Sequence, residues 1–508
     1  MARVSLFTSF PPLQPFLSMR ILSLPAWALA ATLLLGACSK KNSEETLPDM
    51  VVPPDPGPVA ASAADRVYMA DQSSNTVSVH DPSTNKLLGV IRLGKGRPQF
   101  LSPLYDMESN VHGLGVSPDG RTLGVIATLT NAVIFIDLAT NKVKGTVYVD
   151  RNPHEGFFTP DGKQFWVAVR GKDYVSVIDV EKLQVVKNIA TEHEPSMVVF
   201  RPDGKVAFVD HSETAVLDVI DVKTREVIAR VPVVSKFSPN LVVSEDGQQV
   251  WMTHKDVGKV TVVNAQTYAV EGVIDTGPGT NHVNLAGPGG GTRFSGATAG
   301  DFAYVTVGGE NAVKVYSRQR QLVATIPVGP NPHGIWPNGD GSKVYVGLEN
   351  GDALVSIDTK TNTKLTETGS GQAPQALLYV VKAGSGTPGA GTLETFTPVT
   401  PVNIRLVPLG TPPVPGVGGG ATIRPTEDLD EMVLALKKLD PNATYTLYLS
   451  NNKTSLASPE PVLVFKTDDE GKVEVNAYYQ IRLRLAGRFA VVVRGDKDPA
   501  GAVILTQP

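Results

Sequence analysis

The sequence predicts an all-β protein, in which a seven-bladed β-propeller is followed by a small C-terminal β-sandwich. Glycine (48 residues) and proline (39 residues) are abundant, whereas long segments with helical periodicity are scarce. A short apolar segment that approximates Val-x-Val/Ile-x-Asp/Asn/Ser recurs seven times, ending at Asp81, Asp137, Asp179, Asp221, Asn264, Ser317 and Asp358. A repeat of about 42 residues indicates one supersecondary unit that buries its apolar face on neighbouring copies.

One repeat, residues 153–194, shows how each unit is built. It contains four short apolar segments separated by turns, at residues 153–158, 164–169, 174–179 and 185–189. The turn Thr159–Gly162 has proline and glycine at positions where a tight reversal favours them. Four antiparallel strands in about 42 residues are typical of one propeller blade.

Two segments within the repeats carry a more specific signal. Ser74–Asn85 and Val323–Gly329 resemble the YVTN family of β-propeller repeats, and the resemblance covers about residues 66–381. It implies the seven-bladed fold of a bacterial repeat lipoprotein. It leaves the function open, because that family includes cell-surface, binding and enzymatic proteins.

The order of the segments predicts how the ring closes. The first repeat begins at Arg66 without an opening strand, whereas residues 374–381 form such a strand with no repeat after it. We therefore expect residues 374–381 to complete the first blade, so that the propeller spans residues 66–381 and has no open edge. Two repeats carry insertions, at residues 97–111 and 285–295, and each is either a functional loop or a tolerated surface loop.

The N-terminal residues predict export and lipid attachment. Residues 1–37, with Met19 as an alternative start, contain the apolar run Ile21–Ala37 and are interpreted as a signal peptide. The Leu-Gly-Ala-Cys motif that ends at Cys38 resembles the lipobox of bacterial lipoproteins, which implies acylation of the Cys38 thiol. An ordinary signal peptide and an uncleaved anchor are the alternatives. Residues 38–65 are polar and then rich in proline and alanine, which predicts a disordered tether.

The lipoprotein resemblance implies a location in the cell envelope. Ser39 after Cys38 resembles the sorting signal for the outer membrane, where the protein would face the periplasm or the cell surface. Because Cys38 is the only cysteine, its acylation excludes disulfides, thiolate metal sites and cysteine nucleophiles. The expected partners are the membrane, through the lipid anchor, and an envelope protein, a glycan or a small ligand.

The C-terminal residues predict a second, smaller module. Residues 382–420 are rich in glycine, proline and threonine and are interpreted as a linker with one strand, at Val402–Val407. Residues 421–508 return to short alternating segments, which favour a β-sandwich-like module. This module contains no histidine and no cysteine, and we interpret it as a binding or spacer module.

The histidines predict where on the propeller a site would lie. All eight fall between residues 66 and 381, and one equivalent position of the inner strands is polar in every blade. In blade order, these positions are Gln375, His112, His154, Ser196, Asn240, His282 and His333. Since inner strands line the central channel of a propeller, we expect these residues to form a ring at the channel mouth.

Three interpretations of this ring stay open. Neutral imidazole is a preferred ligand of Zn, Cu, Fe and Ni, so the four histidines are candidate ligands of a metal ion or a metal-bearing cofactor. A small anion or polar ligand is the second interpretation, with supporting residues on adjacent loops at Arg97, Arg151, Lys236 and His193. A polar channel mouth without a dedicated ligand is the third.

Composition and the absence of common motifs make nucleic-acid binding and several classes of enzyme unexpected. A net charge of −4 with 19% charged residues makes nucleic acid an unexpected partner. The sequence has no G-x-S-x-G elbow, no Walker loop and no H-E-x-x-H motif. These observations favour an envelope-anchored binding or interaction scaffold over an enzyme. The alternatives are a metal- or cofactor-binding propeller and a propeller-type lactonase or other hydrolase.

Overall fold

The protein is built almost wholly from β-strands and turns. Its only described α-helix is the short segment Ile481–Leu485, and no described helix is long and apolar enough to cross a membrane. The predicted all-β class and the seven-bladed propeller are confirmed. The computed structural model describes residues 48–54, 57–94, 110–292, 297–383, 392–409, 417–425, 429–479, 481–495 and 503–508.

Each blade contains a four-stranded antiparallel sheet. From the innermost strand outwards, blade 1 comprises Pro374–Val380, Arg66–Asp71, Thr76–Asp81 and Lys86–Arg92. In the same order, blade 2 comprises Val111–Val116, Thr122–Ala127, Ala132–Asp137 and Lys142–Tyr148. Blade 3 comprises Pro153–Phe158, Gln164–Val169, Tyr174–Asp179 and Gln184–Ala190. Blade 4 comprises Pro195–Phe200, Val206–His211, Val216–Asp221 and Glu226–Pro232.

The remaining three blades repeat this arrangement. Blade 5 comprises Leu241–Ser244, Gln249–His254, Lys259–Asn264 and Val270–Asp275. Blade 6 comprises Thr280–Ala286, Phe302–Val307, Ala312–Ser317 and Leu322–Pro327. Blade 7 comprises Pro332–Pro337, Lys343–Leu348, Ala353–Asp358 and Thr363–Gly369.

Neighbouring blades pack through large buried side chains. The Trp166 ring of blade 3 lies edge-on to the Phe200 ring of blade 4, with 5.1 Å between the ring centroids. Phe135 of blade 2 and Phe165 of blade 3 are arranged in the same way at 5.7 Å. Such ring pairs add about 0.5–1.5 kcal/mol to the stabilisation from burial alone. The outermost strands are largely exposed, so the core lies among the three inner strands of each blade.

The ring closes with a strand from the far end of the propeller. Pro374–Val380 pairs antiparallel with Arg66–Asp71, as the sequence predicts. The Tyr379 hydroxyl donates a hydrogen bond to the Asp65 carboxylate, which also accepts the backbone amide of Lys382 at 2.8 Å. The inner strand of each blade contacts the inner strands of both neighbouring blades, so the ring of described inner strands is continuous.

The segment before blade 1 lies on the propeller surface wherever the structure describes it. Asp49 Oδ1 is 2.8 Å from Lys223 Nζ, and the Val59 amide donates to a backbone carbonyl of blade 7 at 2.9 Å. Met50 packs against the main apolar core. Asp49, Met50 and Val59 therefore contact the propeller, and the disordered tether over residues 38–65 stays a prediction.

The insertion predicted at residues 285–295 extends a neighbouring blade. Ala297–Ala299 pairs in parallel with the end of Leu241–Ser244, the inner strand of blade 5, and antiparallel with Gly291–Thr292. The added strand therefore lies at the end of the channel opposite to the first residues of the inner strands. The other insertion, predicted at residues 97–111, falls outside the described residues up to residue 109.

The C-terminal region forms one eight-stranded, nearly closed, barrel-like sheet with its own apolar core. The predicted small all-β module is confirmed, and its strands join in one curved sheet. The strand Val402–Pro408 belongs to it, so the module begins before residue 421, where the sequence analysis placed its start after a linker. In spatial order the strands are Glu460–Lys466, Thr444–Ser450, Phe489–Arg494, Val503–Thr506, Val402–Pro408, Gly418–Pro425, Asp430–Lys437 and Val473–Tyr479.

A buried arginine joins this module to the propeller. Arg424 Nε lies 3.1 Å from Asp352 Oδ1 of blade 7, and Arg424 Nη1 lies 3.7 Å from Glu431 Oε2. Arg424 Nη2 donates to the Glu349 carbonyl oxygen at 2.6 Å. The three charged side chains are each 1% exposed, so their attraction acts in a medium far less polarisable than water.

Gly156→Ala is expected to destabilise the propeller by about 1–3 kcal/mol, because the added methyl group meets fixed backbone. A Cβ at Gly156 would lie 2.1 Å from the Trp166 carbonyl oxygen and 2.7 Å from Val167 Cα. Gly347→Ala is the matched control, since its Cβ would meet Pro374 Cβ at an ordinary 3.4 Å. Urea denaturation measures both variants, and equal free energies of unfolding would contradict the expected clash.

Asp71 is expected to make the propeller less stable as the pH rises. Burial raises the pKa of Asp71 to about 8, and its Oδ1 has no hydrogen-bond partner in the part of the chain that the structure describes. The folded state therefore keeps a proton on Asp71 that the unfolded chain loses near pH 4. The contribution of Asp71 to the free energy of unfolding is complete below that pH and is lost as the pH rises to about 8. Urea denaturation at pH 5 and pH 8 should show a smaller pH effect for Asp71→Asn. An unchanged pH effect would contradict the assignment.

Candidate metal centre in the propeller channel

The inner strands share an irregularity at their first residues. In blade 3, between Pro153 and Gly156, two residues, His154 and Glu155, face the single residue Ala168 of the next strand. The inner strands of blades 2, 4, 6 and 7 shift register at the same place. Bulges of this kind redirect side chains and are common near functional sites.

The four histidines of the predicted ring come together in the channel. The rings belong to blades 2, 3, 6 and 7, yet they form one continuous cluster. The centroid distances are 4.2 Å for His112–His154, 4.7 Å for His282–His333 and 6.3 Å for His112–His333. Residues separated by up to 221 positions in the sequence are therefore direct neighbours.

Glu155 completes the cluster and was missed by the sequence analysis. One ligand atom each from His112, His154 and Glu155 lies within 4.8 Å of the others. Glu155 Oε1 also lies 3.7 Å from Nε2 of His282 on blade 6, so it reaches across the channel. The sequence did carry a signal, because the equivalent residues of the other blades are glycine or apolar.

Two hydrogen bonds fix the tautomer of two rings. Nδ1 of His154 lies 2.8 Å from the Ser196 carbonyl oxygen, and Nδ1 of His333 lies 3.0 Å from the Gln375 carbonyl oxygen. A carbonyl oxygen can only accept a hydrogen bond, so each neutral ring carries its proton on Nδ1. The lone pair then resides on Nε2, which is free to bind a metal ion, and the carbonyl orients the ring.

Several polar atoms of the cluster are buried without a partner. His112 Nδ1, His282 Nε2 and Glu155 Oε1 have no hydrogen-bond partner among the described residues. A buried polar group without a partner costs about 1–3 kcal/mol, and such groups are uncommon in folded proteins. Three of them in one cluster make this part of the channel a candidate ligand site.

Burial sets the protonation states of the cluster. It lowers the pKa of His112, His154 and His333 well below the usual range, and that of His282 to about 3. The same burial raises the pKa of Glu155 to about 8. At neutral pH the imidazoles are uncharged, which is the form that binds metal ions.

The three ring positions that are not histidine, Ser196, Gln375 and Asn240, make different contacts. Ser196 and Gln375 orient histidine rings through their carbonyl oxygens. The Asn240 side chain accepts the backbone amide of Val283 at 2.9 Å and approaches the sulfur of Met197 at 3.3 Å, so it links blades 4, 5 and 6.

The loop residues predicted to assist the ring lie elsewhere. Lys236 pairs with Glu213 at 2.8 Å, and His193 pairs with Asp173 at 2.8 Å, both at the surface. Arg151 is exposed, and Arg97 lies outside the described residues. The described cation beside the cluster is instead Arg170, whose Nη2 donates to Ser196 Oγ at 2.7 Å.

An aromatic pair fills the channel beyond the histidines. Phe157 and Trp336 each lie three residues after a histidine of the ring, on blades 3 and 7, and their rings stack at 6.1 Å between centroids. Blades 1 and 2 lie between them on one side of the ring, and blades 4, 5 and 6 on the other. Their contact therefore spans the channel. Ala297–Ala299 lies beside the end of the inner strand of blade 5, farther along the channel.

Comparisons with known proteins identify the fold. No family model matches the chain, and no curated protein matches it. Solved structures similar to it include hydrazine synthase of Kuenenia stuttgartiensis (21% identity, 53% of this chain and 89% of that chain, TM-score 0.48). A functionally unknown protein of Desulfotomaculum acetoxidans also matches (12% identity, 61% and 98%, TM-score 0.50). The periplasmic gluconolactonase of Pseudomonas aeruginosa is another (18% identity, 62% and 99%, TM-score 0.50). At these identities the likeness extends to the propeller fold alone, and the resemblance to YVTN repeats stays a prediction.

Proposed function

We propose that the propeller binds a divalent transition-metal ion at its channel mouth. The observation that carries this proposal is the convergence of His112, His154 and Glu155, whose ligand atoms lie within 4.8 Å of one another. Ligands about 2.1 Å from one tetrahedral ion lie about 3.4 Å apart, so side-chain shifts of about 1 Å complete the site. His282, 3.7 Å from Glu155, is the candidate fourth ligand.

The ligand chemistry favours one class of ion. Imidazole nitrogens with one carboxylate suit Zn²⁺, Fe²⁺, Ni²⁺ and Cu²⁺, whereas Ca²⁺ and Mg²⁺ prefer all-oxygen sites. A bound ion would act as a Lewis acid toward a small ligand at its open position. The chain's own contribution is a set of uncharged, oriented imidazoles in a narrow channel.

Metal analysis of the full-length protein, extracted in detergent and dialysed, tests the proposal. We expect about one zinc or cobalt ion per chain, and Co²⁺ should produce visible absorption bands typical of nitrogen and oxygen ligands. His193→Ala is the matched control, because it removes a surface histidine outside the cluster and should leave the stoichiometry unchanged. A chain that retains no ion and gives no cobalt spectrum would overturn the proposal.

Hydrolysis of a small cyclic ester is a second candidate function, favoured by one observation. The Glu155 carboxyl, with a pKa raised to about 8, lies beside His282 and can exchange a proton near neutral pH. Release of acid from glucono-δ-lactone by the metal-free protein, in which the Glu155 carboxyl is not bound to an ion, would support it. Equal rates for wild type and Glu155→Gln would reject it.

We also propose that the protein works in the cell envelope, where it binds a small ligand or an envelope partner. The support is the sequence pattern around Cys38, which implies a lipid anchor. Metabolic labelling with palmitate should mark the wild type, and Cys38→Ser should lose the label and leave the membrane fraction. A wild-type chain that is unlabelled and remains in the aqueous fraction would reject the anchor.

A further inference from the structure

A half-buried arginine stands beside the proposed metal centre. Arg170 lies in the short 3-10 turn Arg170–Lys172, directly after the second strand of blade 3. Its Nη2 donates to Ser196 Oγ at 2.7 Å, and that oxygen lies 3.3 Å from Nδ1 of His154. One hydroxyl group therefore separates the guanidinium from a proposed metal ligand.

The Arg170 charge has no partner among the described residues. No described carboxylate lies within 4.0 Å of its nitrogens, and its Nε is buried without a hydrogen-bond acceptor. The acidic groups that face it are Asp210, Glu155 and Glu194. Arginine stays charged in proteins, and a buried donor such as this Nε–H is unfavourable when it has no acceptor.

The facing carboxyl groups are engaged elsewhere. Asp210 Oδ1 accepts the backbone amide of Met197 at 2.7 Å, and a Glu194 carboxylate oxygen accepts the Ser212 hydroxyl at 3.2 Å. Burial also raises the pKa of Asp210 well above its usual range.

A second cation lies near the same channel mouth. Lys255 follows the second strand of blade 5 and is half-buried. Its charge contributes to the lowered pKa of His112, His282 and His333. Two positive groups near an uncharged histidine cluster are complementary to a negatively charged ligand.

We propose that Arg170 binds a small carboxylate or oxyanion ligand at the channel centre, held next to the metal ion of the proposed function. The planar guanidinium offers its unpartnered Nε–H and a remaining Nη–H as a fork that fits two oxygens of one anion. This inference rests on the proposed function for the position of the ion, but the Arg170 contact does not require the ion.

Equilibrium dialysis with radiolabelled acetate tests the inference on the full-length protein, both cobalt-loaded and metal-free. Acetamide, which has the same shape without the charge, is the competitor. We expect acetate to bind and acetamide to compete at least ten-fold more weakly. Arg170→Gln should weaken acetate binding at least ten-fold, whereas Arg151→Gln, an exposed arginine nearby, should leave it unchanged.

The outcomes separate the two proposals. Cobalt binding without acetate binding would overturn the role of Arg170 and leave the metal centre intact. Acetate binding that depends on Arg170 in a protein that binds no cobalt would overturn the metal centre alone. Equal competition by acetamide, or equal affinity in Arg170→Gln, would overturn the anion site. Arg170→Lys keeps the charge and should retain part of the affinity, which distinguishes anion binding from a folding defect.

Discussion

Replacing His154 with alanine is expected to lower the affinity of the channel for zinc by about 100-fold or more. His154 is one of the three residues whose ligand atoms converge, and its ring is held in the binding orientation by the Ser196 carbonyl oxygen. Loss of an orienting partner alone typically reduces metal affinity by about 10- to 100-fold, and loss of a ligand exceeds this. Competition with a chromophoric chelator measures the affinity.

Three further variants assign the ligand set. His112→Ala and Glu155→Gln should match the effect of His154→Ala, because each removes one of the converging atoms. His282→Ala shows whether a fourth ligand binds, since it should weaken binding only if His282 enters the site. His254→Ala controls for the loss of a buried histidine, because its ring bonds to Ser238 and Thr261 instead. Equal affinities in all variants would refute the centre.

The Arg424→Met variant keeps an unbranched side chain but removes the guanidinium group. It should lower the free energy of unfolding by about 3–5 kcal/mol. The substitution leaves Asp352 and Glu431, each 1% exposed, without their shared cation. It also frees the Glu349 carbonyl oxygen, which accepts a hydrogen bond from Arg424 at 2.6 Å. The C-terminal module should detach from blade 7 before the propeller unfolds, which limited proteolysis and urea denaturation can follow together.

A surface ion pair provides the comparison. Arg494 and Asp440 lie 2.7 Å apart, but both side chains are mostly exposed, so Arg494→Met should change stability by less than about 1 kcal/mol. Neutralising the partners of Arg424, in the triple variant with Asp352→Asn and Glu431→Gln, should recover part of the loss. Similar losses for Arg424→Met and Arg494→Met would show that the buried network does not hold the module.

The repeat explains why the histidine ring was predictable. In a closed ring, equivalent positions of the inner strands lie at the same level along the channel axis. Aligning the repeats therefore shows which residues, although distant in sequence, are neighbours in the channel. This holds for His112, His154, His282 and His333, which form one cluster. No assumption about side-chain conformation was needed.

Glu155 shows where the repeat is insufficient. Regular alternation along a strand directs adjacent residues to opposite faces, so a channel-facing His154 predicts that Glu155 points away. The bulge between Pro153 and Gly156 breaks that alternation and brings both residues to the site. A bulge depends on the pairing of two strands, which the sequence of one strand does not specify.

The cations were misplaced for a related reason. Arg151 and Lys236 are close to the ring in sequence, but their loops carry them to the surface, where Lys236 finds Glu213. Arg170 stands in a short Arg-Gly-Lys turn that is typical of an exposed reversal. Its contact with Ser196 of the neighbouring blade depends on packing between blades.

The pairing of Arg66 with Val380 has a consequence for how the chain folds. The first blade lacks its inner strand until nearly all of the propeller has been synthesised, so it cannot be completed as the chain emerges. Contacts between residues so far apart in sequence slow folding, because a long loop must close before they form. We therefore expect the closing strand to dock late, and a chain that ends before Pro374 to expose a strand edge open to association with other chains.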